Sequence, residues 1–233
     1  MVTEVTDSLI MCTKRKGGWK KYHSLKGIEY FPCLKKLEMN NINIGNPNIS
    51  KNKLLQSVRL YNTFTTYVNV NKNVRLKRLY ISSEVSMVGK RSLKNIDVSH
   101  NKQLEELTLI RGISEIDVSN LSKLRMLVIG EGQLKTLDVS HNPELQILSC
   151  GGNQLTELDV SACTKLSSFT CEKNQLKAVK LPENLTLVNF ECHKNQLTEL
   201  DMKNGKVTGE MKFDTKCSVV NYAGTIHNDL MNK

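Results

Sequence analysis

A leucine that recurs about every 21 residues constrains this chain more than any other feature of its sequence. Each copy opens the pattern Φ-x-x-Φ-x-Φ, where Φ is an apolar residue or cysteine. The steps between copies are 21, 21, 28, 20, 21, 21 and 21 residues. Such a period predicts a solenoid in which every repeat forms one coil. The eight anchoring leucines are Leu34, Leu55, Leu76, Leu104, Leu124, Leu145, Leu166 and Leu187.

Within each repeat, the Φ-x-Φ segment predicts a short strand that lies beside its equivalent in the next coil, in a parallel sheet. Its apolar residues face inward and form a core that no single repeat could bury alone. Cys150, Cys171 and Cys192 occupy the same inward position as Ile129 in an earlier repeat. Because a buried free cysteine behaves as a small apolar residue, we expect these three to be reduced core residues rather than metal ligands.

Two polar positions recur on either side of the strand. Asn153, Asn174 and Asn195 follow it, and we expect their amides to bond backbone groups of their own coil and the next one. Earlier repeats hold other residues there, so this ladder is expected only in the last three coils. The second position is the aspartate of the Φ-D-V-S segment, which we expect to accept hydrogen bonds from turn N–H groups. The aspartates are Asp97, Asp117, Asp138, Asp159 and Asp201.

The unit LTELDVSACTKLSSFTCEKNQL carries the leucine-rich-repeat signature and resembles the repeats of surface and secreted proteins from gut Bacteroidetes. The resemblance implies a curved, right-handed solenoid with a parallel β-sheet on its concave face and a thin convex side. It also implies an extracellular or cell-surface location and a non-enzymatic role in binding a protein partner, such as adhesion or host interaction. We expect a single domain with an N-terminal cap at 1–33, the array at 34–204 and a C-terminal cap and tail at 205–233.

No catalytic or metal-binding pattern stands out in the sequence. The five histidines have no metal-ligand spacing, and neither a phosphate-binding glycine loop nor a G-x-S-x-G segment is present. We therefore expect no enzyme activity, no metal site and no cofactor. The first twelve residues, MVTEVTDSLIMC, lack the features of a signal peptide, and no apolar run is long enough for a transmembrane helix.

The repeat phase also predicts which residues face outward on the concave face. Its first coils present basic and aromatic side chains and its middle coils present apolar ones, both of which are common in protein interfaces. The last coils are polar and mildly acidic. The predicted partner-binding residues are Arg59, Tyr61, Arg78, Tyr80, Ile110, Met126, Val128 and Ile147. An equally open alternative is a solvated sheet whose apolar residues bind nothing.

The distribution of charge supports a competing hypothesis. Residues 1–94 hold 18 Lys/Arg against 5 Asp/Glu, a net charge of +13, whereas the remainder has a net charge of −3. The segment KRKGGWKKYHSLK at 14–26 interleaves basic and aromatic residues, a pattern typical of binding to a sulfated glycan or nucleic acid. The residues for such a polyanion site are Lys14, Arg15, Lys16, Lys20 and Lys21. The same segment suits an N-terminal cap.

Three further expectations follow. The extra residues of the long third repeat fall at 82–92, where they form either a binding loop or a relaxed convex loop. We expect the protein to be a monomer. An intracellular scaffold is the third functional alternative, after a surface recognition module and a polyanion-binding module.

Overall fold

A computed structural model describes residues 7–12, 25–83 and 92–224. Ten parallel strands form one sheet, in which each strand pairs with its equivalent in the adjacent coil. These strands are β1 (Ser8–Cys12), β2 (Lys36–Asn40), β3 (Ser57–Thr63), β4 (Arg78–Ser83), β5 (Glu106–Ile110), β6 (Met126–Gly130), β7 (Ile147–Ser149), β9 (Ser168–Thr170), β12 (Asn189–Glu191) and β15 (Met211–Lys212).

Shorter parallel pairs run along the other side of the later coils. They are β8 (Glu157–Asp159) with β10 (Ala178–Lys180), β11 (Thr186–Leu187) with β14 (Lys206–Val207), and β13 (Glu199–Asp201) with β16 (Ser218–Val220). One 3-10 helix, Ile28–Tyr30, completes the elements of the described residues. No helix in those residues has the length and hydropathy needed to cross a bilayer.

The predicted inward positions form continuous buried columns. The first strand column runs through the sheet in register as Leu37, Val58, Leu79, Leu107, Leu127, Leu148, Phe169, Phe190 and Met211. The second column begins at Met39 and continues through Leu60, Ile81, Leu109 and Ile129 to Cys150, Cys171 and Cys192. The predicted burial of the three cysteines is confirmed, because each of these residues is 0% exposed.

The predicted asparagine ladder is present, with one correction. The amide nitrogen of Asn174 donates to the carbonyls of Cys171 in its own coil and Cys150 in the preceding coil, at 3.0 Å each. Its side-chain oxygen accepts the N–H of Leu155, also in the preceding coil. Asn153 and Asn195 repeat this arrangement. The prediction that the next coil supplies the partners is therefore wrong. Each asparagine instead links the bend of its own coil to backbone groups of the coil before it.

A second asparagine ladder lies at the opposite bend of the coil, three residues before the anchoring leucine. Asn73, for example, donates to the carbonyl oxygens of Ile49 and Asn52, at 3.0 and 2.9 Å. Three of its four asparagines serve early coils that lack the first ladder, whereas Asn142 lies in the coil that also carries Asn153. Cys163 takes over the position in the following coil. Its members are Asn52, Asn73, Asn101 and Asn142.

The sheet extends beyond both ends of the array predicted at 34–204, because β1 pairs with β2 and β15 pairs with β12. How residues 1–33 and 205–233 divide between array and cap stays a prediction.

Candidate functional site: the concave face

Alternation along each strand sends every second side chain outward, onto the concave face. In β3, for example, Val58 and Leu60 are buried, whereas Ser57, Arg59 and Tyr61 are partly exposed. All eight residues predicted for this face are at least partly exposed and lie on β3 to β7. Whether they bind a partner stays a prediction.

The N-terminal part of the concave face is an ordered basic and aromatic cluster. The guanidinium carbon of Arg59 lies 4.4 Å from the ring centre of Tyr80 and 5.5 Å from that of Tyr61. The two tyrosine rings are themselves 6.1 Å apart. The Nε atom of Arg59 also lies 3.9 Å from Oε1 of Glu38. Cation–π contacts and an ion pair thus hold Arg59 across the sheet surface.

Glu38 is the acidic member of this cluster. A hydrogen bond from the Asn40 amide, together with the charges of Lys36 and Arg59, lowers the pKa of the Glu38 carboxyl. Arg78, on the neighbouring strand, is exposed and forms no ion pair with any residue that the structure describes. Arg78 is therefore the cation of this cluster most open to an incoming anionic group.

The middle of the concave face is apolar. Met126 of β6 pairs in register with Ile147 of β7, and Val128 lies one outward position further along β6. Ile110 of β5 lies beside Gly130. Ile147 is 39% exposed, and the other three side chains are partly exposed. We call Ile110, Met126, Val128 and Ile147 the apolar patch.

The C-terminal part of the concave face carries acidic side chains. Lys212 on β15 lies 3.6 Å from Glu191 and 2.6 Å from Glu210. The hydrogen bond to Glu210 and the nearby carboxylates raise the pKa of the Lys212 ammonium. Nδ1 of His193 lies 3.9 Å from Oε2 of Glu191. Lys212 was missed at the sequence level, because it lies beyond the last leucine anchor.

Glu172 lies one outward position beyond Thr170, which pairs in register with Glu191. The Oε2 atom of Glu172 is buried and has no hydrogen-bond partner. Across the described residues, no lysine, arginine or histidine forms an ion pair with it.

The recurring aspartates serve turns, as predicted. Oδ1 of Asp159 accepts the N–H and the hydroxyl of Ser161, and these bonds lower the pKa of the carboxyl. In Asp201, bonds from the Lys203 ammonium, the Asn221 amide and the Lys203 N–H lower the pKa to about 2. Asp97, Asp117 and Asp138 accept the N–H two residues ahead in the same way.

The buried thiols are poor candidates for covalent chemistry. Burial, with a smaller contribution from the charge of Glu172, raises the pKa of Cys150, and burial likewise raises the pKa of Cys171 and Cys192. Because the thiolate is the nucleophile and the metal ligand, these groups are chemically inert in the folded chain. Within residues 7–12, 25–83 and 92–224, no group of three His, Cys, Asp or Glu residues could hold a metal ion.

Two predicted features lie outside the described residues. They are the polyanion-binding residues Lys14, Arg15, Lys16, Lys20 and Lys21, and the part of the 82–92 insertion that spans 84–91.

The chain matches no known protein-family model and no curated protein sequence. Solved structures do resemble it. The functional domain of InlJ from Listeria monocytogenes, which includes a cysteine ladder, matches with a TM-score of 0.55 and 24% identity, over 85% of this chain and 51% of that one. The fold is a leucine-rich-repeat solenoid. The prediction of the fold class is confirmed.

Two further leucine-rich-repeat structures match the chain. One is the ectodomain of the plant membrane receptor kinase GASSHO1/SCHENGEN3 from Arabidopsis thaliana, with a TM-score of 0.52 and 12% identity over 86% of this chain and 31% of that one. The other is LIC12759 from Leptospira interrogans, with a TM-score of 0.44 and 18% identity over 87% and 70% of the two chains. The chain spans about half the length of the InlJ structure.

Proposed function

We propose that this chain is a non-enzymatic recognition module that binds a protein partner through its concave face. The observation that carries the proposal is the apolar patch, which lies on strands between the basic and aromatic cluster of the early coils and the acidic side chains of the late coils. Contiguous exposed apolar side chains usually mark a surface that another molecule covers. Tyrosine and arginine, which the basic and aromatic cluster on β3 and β4 supplies, are among the residues most often responsible for binding energy in interfaces.

The resemblance to surface and secreted leucine-rich-repeat proteins supports an extracellular setting for this interaction. Among the structural neighbours, the GASSHO1/SCHENGEN3 ectodomain forms a complex with CASPARIAN STRIP INTEGRITY FACTOR 2. A solenoid of this kind presents a broad surface on fixed strands, so binding needs no rearrangement of the backbone.

The test is a binding screen of the purified chain against a panel of extracellular proteins, heparin and double-stranded DNA at about 150 mM salt. Val128→Asp places a charge in the centre of the apolar patch, and Val74→Asp is its matched control, because Val74 is 50% exposed and lies outside the sheet. We expect a protein ligand whose binding is lost with Val128→Asp and kept with Val74→Asp. Thermal melting of both variants checks that the fold is intact.

Polyanion binding is the second candidate, favoured by the net charge of +13 in residues 1–94. It predicts that heparin or DNA binds, that the affinity falls steeply with salt, and that Arg59→Glu/Arg78→Glu weakens binding while Val128→Asp does not. That pattern, without any protein ligand, would overturn the proposed protein-recognition function.

A further inference from the structure

A gap of two glycines interrupts the row of outward side chains beside the apolar patch. This row runs from Ile110 through Gly130 and Gly151 to Glu172, one residue per coil. Ile110 pairs in register with Gly130, the N–H of Glu131 donates to the carbonyl of Gly151, and the N–H of Gly152 donates to the carbonyl of Glu172. Two adjacent coils therefore lack a side chain where their neighbours carry one.

The side chain of Glu172 lies across the second glycine. A Cβ atom on Gly151 would lie 2.6 Å from Cδ of Glu172 and 2.7 Å from its Oε2. A Cβ atom on Gly130 would meet only ordinary contacts, 3.6 Å from Cδ1 of Ile110 and 3.7 Å from the carbonyl oxygen of Gly151. The absence of a side chain at Gly151 is thus what allows the carboxylate to turn toward the apolar patch.

In this position, one oxygen of the carboxylate is buried without a hydrogen-bond donor. A charged acceptor removed from water without a partner is costly, and the cost is recovered when a donor arrives. The neighbouring acidic residue Glu191 already has Lys212 at 3.6 Å, whereas Glu172 has no such partner in the described parts of the chain. Because Glu172 is only half-buried, its unpaired carboxylate can accept a cation that a partner brings to this part of the face.

We propose that Glu172 receives a lysine or arginine side chain of the protein partner, whose adjacent apolar residues cover Met126, Val128 and Ile147. This inference rests on the proposed function. Arg59 and Arg78 lie further along the sheet, on β3 and β4, and Glu106 of β5 pairs in register with both Arg78 and Met126.

The test uses a display library of random peptides, selected on the immobilised wild-type chain at about 150 mM salt. Selected peptides that lose binding to Val128→Asp are then synthesised and titrated. We expect these peptides to share a lysine or arginine next to apolar residues. We expect Glu172→Gln to weaken their binding by about tenfold or more, as for loss of a hydrogen bond to a charged group. Glu157→Gln, an exposed carboxylate on β8, is the matched control and leaves the affinity unchanged.

A second test displaces the Glu172 carboxylate without removing it, and pairs one variant with its control. Gly151→Ala forces the flexible end of Glu172 away from its position and weakens the same peptides. Gly130→Ala keeps Glu172 in place and serves as the control.

The outcomes separate the two proposals. Peptides that require Val128 but bind equally well to Glu172→Gln would overturn the role of Glu172 and leave the proposed function standing. A selection that yields no Val128-dependent peptide would count against both.

Discussion

Asparagine side chains complete the backbone hydrogen bonds at both bends of the coil, where strands end and ladder partners are lost. Asn174 illustrates the arrangement: it is buried, and it serves two carbonyls and one N–H. We predict that Asn174→Ala lowers the free energy of unfolding by about 3 kcal/mol or more, because three buried backbone groups lose their partners at once. Urea denaturation followed by circular dichroism measures this loss.

Asn95→Ala is the matched control for that measurement. Asn95 is exposed and makes a single bond, 3.2 Å to Glu115, so its replacement should change stability by less than about 0.5 kcal/mol. Equal losses in the two variants would show that buried amide bonding does not hold the bends.

The two ladders differ in how far the sequence could predict them. The recurrence of Asn153, Asn174 and Asn195 after a strand was sufficient to predict the first. The second was missed because its period is hard to see in the early repeats, where NVNKNVRL holds three asparagines and only Asn73 turns inward. Aligning the position three residues before each leucine is the signal that could have found it. The position of Glu172 over Gly151 depends on contacts between coils, which the repeat pattern alone does not contain.

Three successive coils, from Cys150 to Cys192, place the same small residue at one inward position of the core. The N–H groups of Cys150, Cys171 and Cys192 donate to the carbonyls of Thr170, Glu191 and Lys212, so the hydrogen bonds between coils continue past the ends of β7, β9 and β12. A larger residue occupies the same inward position in β5 and β6. The change to cysteine coincides with strands shortened from five residues to three.

We predict that alkylation of the native chain with iodoacetamide at neutral pH spares the cysteines of this column. Burial keeps them as thiols, and for Cys163, at the opposite bend, burial raises the pKa to about 11. Cys33 is only half-buried and is the internal control expected to react. Mass spectrometry of peptides labelled before and after unfolding in urea distinguishes the two classes. Alkylation of Cys171 at the rate of Cys33 would contradict the buried column.

At the level of strands, leucine spacing was sufficient to place β2 to β7, β9 and β12 and to orient their side chains. The strand β1 was not predicted, because SLIMC has no leucine anchor 21 residues before Leu34. The short pairs β8–β10, β11–β14 and β13–β16 were not predicted either. Their pairing depends on how closely the far sides of successive coils approach, which the spacing does not specify.

Among the described residues, each coil contacts mainly its two neighbours in the array. Stability in such an array is approximately a sum over coils and the interfaces between them. A destabilising core substitution should therefore affect mainly the coils next to it, so its effect depends on its position along the solenoid. The stacked pair Phe169 and Phe190, with ring centres 5.4 Å apart, lies near the C-terminal end of the sheet, whereas Leu107 lies in a middle strand.

We predict that Phe190→Ala opens the last coils selectively, since loss of a buried phenylalanine costs about 3–5 kcal/mol at that point of the array. Hydrogen exchange measured by mass spectrometry should accelerate in β12, β15 and β16, while β2 to β5 keep their protection. Leu107→Ala is the comparison: it removes a similar core contact from β5, so exchange should rise in the coils on both sides. A uniform rise over the whole chain in Phe190→Ala would mean that the solenoid unfolds as one cooperative unit. Most of the apolar patch, together with Glu172, lies between Leu107 and Phe190. The same exchange measurement therefore also shows whether these strands of the concave face keep their protection when the last coils open.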